Sequence, residues 1–390
     1  MSDRVYLDWN ATAPLRAEAW RAMAAAWELV GNPSSVHAEG RRARRLVEEA
    51  RAAIATAVGA SARNVIFTSG GTEANTLALT PGLYSGRGAP IQRLAVSAIE
   101  HPSVLAGGRF PAAAVSRIGV TQSGVIDFNR LESRLAEQGA GPRLVSIMAA
   151  NNETGALQPI QQAAEMVHAT GGLLHVDAIQ ALGKIPLDIN SMGADLVSLS
   201  AHKIGGPKGV GALVLAEGVS GLEPLLRGGG QERSHRAGTE NVAGIAGFGA
   251  ATNAAMSALG ADAARLLRLQ DRLERGLEET PRLILFSKDV PRLPNTTLFT
   301  VPGLRAETAV IGFDLAGIAV SSGSACSSGK VQPSHVLEAM GFPRDLTQGA
   351  VRLSLGWSTS EADIDCCLKA WRKLANTLLR GNEETRLERF

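Results

Sequence analysis

Residues 173–203 read LLHVDAIQALGKIPLDINSMGADLVSLSAHK, and two short apolar runs lie in this stretch, Leu173–Asp177 and Leu196–Ser200. Each run is apolar at successive positions, which is typical of a strand covered on both faces of a sheet. The first run ends in Asp177, and Lys203 follows the second. Because open α/β sheets bind ligands beyond the carboxyl ends of their strands, this acid and this lysine are candidate functional residues.

Similar apolar runs alternate with helical patterns through the first two thirds of the chain. The other predicted strands are Val65–Thr68, Leu94–Ser97, Leu144–Ala149 and Gly211–Leu215. The predicted helices are Leu15–Val30, Ala38–Val58, Thr72–Leu79, Asn129–Gln138 and Ile160–Thr170. This alternation predicts an α/β fold in which a mostly parallel sheet lies between helices.

The pattern changes near residue 260, where we predict a domain boundary. A charged helix, Ala263–Glu279, is followed by sparser strands at Leu298–Val301 and Ile318–Ser321. A last helix is predicted from about Glu361 to Leu379, before a polar tail, Arg380–Phe390. The 390 residues suffice for two or three domains, each with its own core.

Composition and charge exclude several classes of protein. With 45% hydrophobic residues the chain has too much apolar surface to be largely disordered, and a net charge of +2 gives no electrostatic footprint for nucleic acid. Three cysteines form no disulfide framework, and the N-terminus has no secretory apolar segment. The uncharged segment Gly244–Ala261 is rich in Gly and Ala and predicts a buried core helix. We therefore expect a cytoplasmic protein with neither a nucleic-acid nor a membrane partner.

A glycine turn follows the strand Val65–Thr68. We use that name for Ser69–Thr72, which leads into a helix and offers free backbone N–H groups and a hydroxyl to an anion. By itself the turn is equally compatible with a tight connection. Together with Asp177 and Lys203 it favours a Schiff-base enzyme, in which the lysine condenses with a carbonyl cofactor and the carboxylate pairs with the pyridinium nitrogen.

The three cysteines have two different settings. Cys326 lies among the small residues of Ser321–Lys330, a composition typical of an exposed loop that presents a reactive thiol, or of a linker with an incidental cysteine. Cys366 and Cys367 lie in an apparent amphipathic helix, where core packing is the better interpretation. No Cys/His set has the spacing of a zinc site, so no resident metal is expected.

Eleven motifs together resemble the cysteine desulfurases, in the class-V branch of the fold-type I pyridoxal-phosphate enzymes. In chain order the motifs are Tyr6–Pro14, Gly31–Ser35, Thr68–Glu73, Glu100-His101, Asn151–Gly155, His175–Gln180, Ser200–Lys203, Gly228–Glu232, Arg236–Asn241, Ser321–Ser328 and Val351–Gly356. They span nearly the whole chain. The motifs Gly228–Glu232 and Arg236–Asn241 resemble those of the NifS-like members of the family.

The resemblance implies a fold and an activity. The expected fold is a large domain, residues 15–260, with a mostly parallel seven-stranded sheet between helices, and a smaller α+β C-terminal domain, residues 261–390, which residues 1–14 join. The expected protein is a homodimer that removes sulfur from L-cysteine, releases L-alanine and passes the sulfur to an acceptor protein such as an iron–sulfur scaffold.

The resemblance also implies roles for individual residues. Lys203 would bind the cofactor covalently and remove the Cα proton, Asp177 would pair with the pyridinium nitrogen, and the ring of His101 would stack on the cofactor and act as an acid–base group. Cys326 would attack the substrate sulfur, keep it as a persulfide and serve as a possible transient iron–sulfur ligand. Asn152 and Gln180 would bind the phenolic oxygen of the cofactor, and Arg352 and Asn32 would bind the substrate carboxylate. The residues that would bind the cofactor's phosphate are Gly71, Thr72, Ser200, His202 and the partner subunit's Thr239.

Three positions depart from the family pattern, namely Trp9, Ala13 and Gly71. We expect Trp9 to lie near the entrance of the site and to affect access to it. A class-V aminotransferase and a selenocysteine lyase remain alternative activities, and a catalytically inert sulfur-transfer scaffold is the non-enzymatic alternative. The sequence does not identify the sulfur acceptor.

Overall fold

The computed structural model of the protein describes residues 4–86, 88–137, 141–323 and 333–387, with side chains to residue 378. Its strands are β1 Val5–Tyr6, β2 Val65–Thr68, β3 Tyr84–Ser85, β4 Arg93–Ser97, β5 Val115–Ile118, β6 Arg143–Met148, β7 Leu173–Asp177, β8 Leu196–Ser200, β9 Gly211–Leu215, β10 Val219–Ser220, β11 Ile284–Leu285, β12 Thr296–Thr300, β13 Ile318–Ala319, β14 Ser321–Ser322 and β15 Val351–Ser354. Its helices are α1 Ala17–Trp27, α2 Ala38–Ala57, α3 Gly71–Ala78, α4 Pro102–Leu105, α5 Phe128–Leu135, α6 Ile160–Ala169, α7 Ile189–Met192, α8 Val242–Glu278, α9 Ala306–Leu315, α10 His335–Ala339, α11 Arg344–Thr347 and α12 Glu361–Leu387.

The largest sheet has seven strands in the order β2–β9–β8–β7–β6–β4–β5. All run parallel except β9, which is antiparallel to both of its neighbours. This arrangement confirms the predicted α/β fold with a mostly parallel seven-stranded sheet. The carboxyl ends of β6, β7 and β8 therefore meet at one edge of the sheet.

The strands are apolar on successive positions because each face of the sheet supports its own core. Leu144 and Leu196 pack with α3 and α4 on one face, whereas Val145 and Val197 pack with α2, α6 and α8 on the other. His175 is the polar exception in β7. Its ring nitrogens lie 2.8 Å from the hydroxyls of Ser146 and Ser198, and burial lowers the pKa of this histidine to about 3. It is therefore a neutral link between three strands.

A second core lies beside a four-stranded antiparallel sheet, β11–β12–β15–β14. Helix α8 passes through residue 260 without a break, and its second half packs Leu269 and Leu273 against Phe299 and Trp371. The N-terminal segment joins this region, because β1 pairs in parallel with β13. Each sheet thus has apolar packing of its own, and the boundaries at residues 14 and 260 stay a prediction.

Several elements differ from the sequence-based expectation, such as the unpredicted β15 and α9, and two of the differences have a clear physical reason. Strand β5 was not predicted, because this edge strand alternates Val, Ser, Arg and Ile and has no continuous apolar run. The two helices predicted around residue 262 form one, since nothing between them breaks a helix. Helix α12 continues to Leu387, into residues that were expected to form a polar tail, although Gly381, Asn382 and Thr385 have low helix propensity.

Helix α8 is long and apolar enough to span a membrane by length and composition alone. More than half of its apolar stretch is buried inside the protein, where Ile245, Phe248 and Ala251 pack into the core of the large sheet. This agrees with the prediction of a buried core helix for Gly244–Ala261.

Candidate active site

A cavity of about 260 Å³ lies beyond the carboxyl ends of β6, β7 and β8. The structure brings together ten of the predicted site residues in its lining: Gly71, Thr72, His101, Asn152, Asp177, Gln180, Ser200, His202, Lys203 and Arg352. The first nine of these residues lie on strands of the large sheet or on the segments that connect them. Arg352 comes from β15 of the smaller sheet, so the cavity lies between the two sheets.

Three predicted residues are not part of this lining. Thr239 is exposed and lies on the far side of the glycine turn, in a separate cleft that also contains Ser69. Asn32 is exposed ahead of α2, and its side-chain oxygen accepts a hydrogen bond from Ser34 N–H. Cys326 lies outside the described residues.

Lys203 is directed into the cavity by the short turn that follows β8. Its Nζ donates to the backbone carbonyls of Asn10 and Ala11, at 2.6 and 2.8 Å. The N-terminal segment is thus positioned against the reactive amine. Asn10 itself is buried and donates from its side chain to Asn152 O and Thr296 Oγ1, which fixes this segment to both sheets.

Asp177 ends β7 as a buried carboxylate with two hydrogen-bond donors. Asn75 Nδ2 donates to its Oδ2 at 2.8 Å, and Ile179 N–H donates to its Oδ1 at 3.0 Å. Burial raises the pKa of Asp177, while the two hydrogen bonds and the nearby His101 and Lys203 oppose that rise. Of the described residues that line the cavity, Asp177 supplies the single carboxylate.

Asn75 is a site residue that the sequence reasoning missed. It is fully buried in α3, and its Nδ2 lies 2.9 Å from Ser103 Oγ as well as contacting Asp177. The available signal was spacing, because a residue one helical turn after Gly71 and Thr72 lies on the same face of α3.

His101 caps the N-terminus of α4, is half-buried and lines the same cavity as Asp177. Its Nδ1 accepts a hydrogen bond from Ser103 N–H at 3.2 Å, so the proton of the neutral ring is assigned to Nε2. Burial lowers the pKa of His101, with Asp177 acting in the opposite direction. Burial also lowers the pKa of His202, to about 4. Both rings are therefore neutral at pH 7.

The glycine turn packs closely against the strand ends. Gly70 has a φ of +152°, which L side chains rarely adopt. A Cβ on Gly71 would lie 2.3 Å from Ile179 Cδ1. The glycine at this position, one of the three departures from the family pattern, therefore leaves room for the Ile179 side chain. Arg236 donates to Glu73 Oε1 and Ser69 Oγ, and thereby fixes the turn from outside. Backbone N–H groups at the start of α3 and the hydroxyls of Thr72 and Ser200 form an anion-binding donor set.

Arg352 forms the opposite wall and is 2% exposed. It donates to Asp8 Oδ1 at 2.8 Å and to Asn152 O at 3.0 Å, while its buried Nε has no hydrogen-bond partner among the described residues. The guanidinium is therefore only partly satisfied. A carboxylate ligand matches the geometry of such a group.

The expectation for Trp9 was wrong. This side chain is 3% exposed, does not line the cavity, and donates from its indole to Tyr6 O. Its ring lies edge-on to Trp357 with centroids 4.5 Å apart, against Gly356. Trp9 therefore packs the N-terminal segment onto the end of β15 and does not control access.

The cavity has three chemically distinct sides. An anion fits the glycine turn, a cationic ring nitrogen fits Asp177, and a carbonyl group fits the amine of Lys203. Arg352 adds a place for a carboxylate on the wall formed by the smaller sheet.

Comparison with known proteins gives consistent results. The family model described as aminotransferase class-V matches residues 5–366. A cysteine desulfurase of Cereibacter sphaeroides is 44% identical over 384 residues, covering 96% of this chain and 97% of the relative. A cysteine desulfurase IscS of Dictyoglomus turgidum is 39% identical over 383 residues, covering 97% and 96%. The solved structure of a NifS-like protein from Rickettsia africae superposes with a TM-score of 0.87 at 36% identity, covering 96% of this chain and 99% of that one.

Proposed function

The chain belongs to the class-V aminotransferase family, and we propose that it is a pyridoxal-phosphate-dependent cysteine desulfurase that converts L-cysteine to L-alanine. The observation that carries the proposal is the convergence of Lys203, Asp177 and Arg352 on one cavity. An amine, a carboxylate and a guanidinium in these positions suit a carbonyl cofactor and an amino-acid substrate. The relatives named cysteine desulfurase match the chain over nearly its full length.

The residues of the cavity fit pyridoxal phosphate. The glycine turn, Thr72, Ser200 and His202 supply donors for the phosphate, and Asn152 and Gln180 supply donors for the phenolic oxygen. Asp177 supplies a hydrogen-bond acceptor for the protonated ring nitrogen. His101 lies against the same space and suits a stacking role. When bound, the cofactor supplies an electron sink that makes the Cα proton of the substrate acidic.

The protein residues bind the substrate and move protons. Arg352 holds the substrate carboxylate through a planar pair of hydrogen bonds, with Asp8 fixing the guanidinium from behind. Lys203 binds the cofactor and takes the Cα proton on Nζ. The neutral His101 has a proton on Nε2 and serves as acid–base group for the substrate thiol.

Sulfur transfer is assigned to Cys326. Its thiolate attacks the substrate sulfur, an S–S bond forms as the C–S bond breaks, and the substrate carbon is protonated to give alanine. The described ends of this segment flank Glu153, because Ser334 Oγ donates to its Oε2 and a Cβ on Gly323 would lie 3.1 Å from the same oxygen. Since Glu153 follows Asn152 directly, both ends of the segment lie next to the cavity wall.

We assign the protein to the cytoplasm as a homodimer that gives sulfur to an acceptor such as an iron–sulfur scaffold protein. The exposure of Thr239, away from the cavity of its own chain, supports a role at the phosphate of a second subunit. Names of relatives such as IscS support iron–sulfur assembly as the use of the sulfur. Sedimentation of the cofactor-loaded protein tests the dimer, which a monomer with tightly bound cofactor would contradict.

The test of the reaction measures both products. The purified protein is loaded with pyridoxal phosphate, its visible spectrum is recorded, and alanine and sulfide are assayed after addition of L-cysteine and a reductant. We expect a yellow protein that forms the two products in equal amounts and loses sulfide formation in Cys326→Ala. The matched control is Cys366→Ala, which is expected to retain activity. Core packing was predicted for both Cys366 and Cys367, and the prediction was wrong for Cys366, which is exposed on the outer face of α12, while Cys367 is buried.

Two other outcomes identify the alternative activities. Turnover of an amino acid that is insensitive to Cys326→Ala, with no sulfide formed, would indicate an aminotransferase. Release of selenide from selenocysteine by the same variant, without activity on L-cysteine, would indicate a selenocysteine lyase.

A further inference from the structure

A second lysine, Lys184, lies next to the cavity without being part of its lining. It follows Gln180 by four residues on the helical turn after β7, where Leu182 N–H donates to Ala178 O. Its Nζ donates to Gln180 Oε1 at 2.7 Å and to Asn10 Oδ1 at 2.8 Å. Both partners are neutral amides, and none of the described carboxylates forms an ion pair with this lysine.

The surroundings of Lys184 disfavour a charge. Burial of its amino group, together with the positive charges of Lys203 and Arg352, lowers the pKa of Lys184 well below its ordinary value. A neutral amine has two N–H donors, one for each of the two amide oxygens that Lys184 contacts.

The amine determines which way the Gln180 amide points. The oxygen and NH₂ ends of an amide are nearly equal in size, so neighbouring donors and acceptors fix the orientation. With Oε1 accepting from Lys184, the Nε2 end is directed to Asn10 O, at 2.9 Å, and to the cavity. Gln180 therefore presents a donor where the phenolic oxygen of the cofactor requires one.

The same amine contributes to the orientation of Asn10, whose Oδ1 also accepts from Asn295 Nδ2 at 3.1 Å. With Oδ1 held in this way, Asn10 Nδ2 donates to Thr296 Oγ1 at 2.8 Å and faces Asn152 O, at 3.3 Å. That carbonyl also accepts from Arg352 at 3.0 Å. One amino group is thus linked to a cofactor-side amide and, through two residues, to the guanidinium on the substrate side.

We propose that Lys184 is a positioning residue that fixes the amide of Gln180, so that Gln180 presents its N–H to the cofactor. The inference rests on the proposed function, because it assumes that the cavity binds pyridoxal phosphate. Removing the amine allows the Gln180 amide to turn its oxygen toward the cavity. The phenolic oxygen then loses a donor and becomes more basic.

The experiment titrates the visible absorbance of the cofactor-loaded protein with pH, in the absence of substrate. In Lys184→Met we expect the midpoint of the spectral transition to rise by about one pH unit, which is the effect of losing one hydrogen bond to a charged group. Gln180→Leu is expected to raise the midpoint by a similar amount. The double variant should show the same midpoint as either single variant, because the two residues act through one contact. Lys184→Gln is one bond shorter than lysine but keeps two N–H donors for the Gln180 oxygen, and we expect its midpoint to stay near that of the wild type.

The matched control is Lys288→Met, at an exposed lysine that pairs with Glu278 away from the cavity. A purely structural role would lower the Tm of Lys184→Met and leave the midpoint unchanged, and that result would overturn the proposal. An equal shift in Lys184→Gln and Lys184→Met, or additive shifts in the double variant, would overturn it as well. If the wild-type protein binds no pyridoxal phosphate, the proposed function itself fails, which is a distinguishable result.

Discussion

Asn75 donates a hydrogen bond from Nδ2 to Asp177 Oδ2 across 2.8 Å, and this contact joins the helix after the glycine turn to the acid that ends β7. The two ends of the cofactor pocket are therefore not independent, because α3 provides both the N–H groups for an anion and the donor for the carboxylate. Asp177 is buried, which raises its pKa, and the contact with Asn75 is the largest of the influences that oppose this rise. The ionised form of the acid depends on that amide.

Asn75→Leu is therefore expected to raise the pKa of Asp177. Loss of a hydrogen bond to a charged group is equivalent to about one pKa unit, so the acidic limb of the pH–activity profile should move up by about one unit. The measurement is kcat/KM for L-cysteine against pH. Asn190→Leu, at an exposed asparagine, is the control, and identical acidic limbs in the wild type and Asn75→Leu would contradict the prediction.

Lys203 is tested by a pair of substitutions. Lys203→Ala and Lys203→Arg should both lose the absorbance band of the lysine-linked cofactor, because neither alanine nor an always-protonated guanidinium condenses with a carbonyl group. The arginine retains N–H donors for the carbonyls of Asn10 and Ala11, so we expect its Tm to exceed that of the alanine variant. A band that persists in either variant would show that another amine binds the cofactor.

The sequence predicted the central strands well and the supporting contacts poorly. Strands β7, β8 and β9 have the predicted bounds in every residue, because a strand buried on both faces produces an apolar run with sharp polar ends. Strand β5 has one exposed edge and lacks that signal. Asn75 and Lys184 belong to no run or motif by themselves, and their roles depend on contacts between segments that lie far apart in sequence.

The predicted site residues divide in the same way. Residues predicted at strand ends, such as Asp177 and Lys203, line one cavity because parallel strands bring their carboxyl ends together. Trp9 was misplaced, since a large aromatic residue in a loop motif gives no indication of the side to which it packs. Thr239 lies in a separate cleft of its own chain, and its role at the phosphate of the partner subunit stays a prediction.

Arg352→Lys should weaken substrate binding more than it slows the chemistry. An ammonium lacks the planar fork that holds a carboxylate with two hydrogen bonds, and Asp8 competes for its single charge. We expect KM for L-cysteine to rise by roughly tenfold to a hundredfold with a smaller change in kcat. Arg272→Lys, at an exposed arginine paired with Asp365, is the control and should leave both constants unchanged.

Glu153 links the pH dependence of stability to the segment that contains Cys326. Burial raises the pKa of Glu153 to about 7, and the hydrogen bond from Ser334 and the charge of Arg352 only partly oppose this. The unfolded chain has the ordinary value of 4.5. Between these two pH values the folded protein binds the proton more tightly than the unfolded chain does.

The stabilisation from this proton is therefore complete below pH 4.5 and is lost as the pH rises toward and past 7. Its size is about 3 kcal/mol, from 1.36 kcal/mol per pKa unit. Glu153→Gln does not titrate and keeps an oxygen that accepts from Ser334 Oγ. The difference in Tm between the variant and the wild type should thus grow in favour of the variant from pH 5 to pH 8. Glu165→Gln changes an exposed residue, and its Tm should differ from that of the wild type by the same amount at every pH. If the Tm difference of Glu153→Gln is also independent of pH, the Glu153 carboxyl has the same pKa in the folded and unfolded states, which would contradict the prediction.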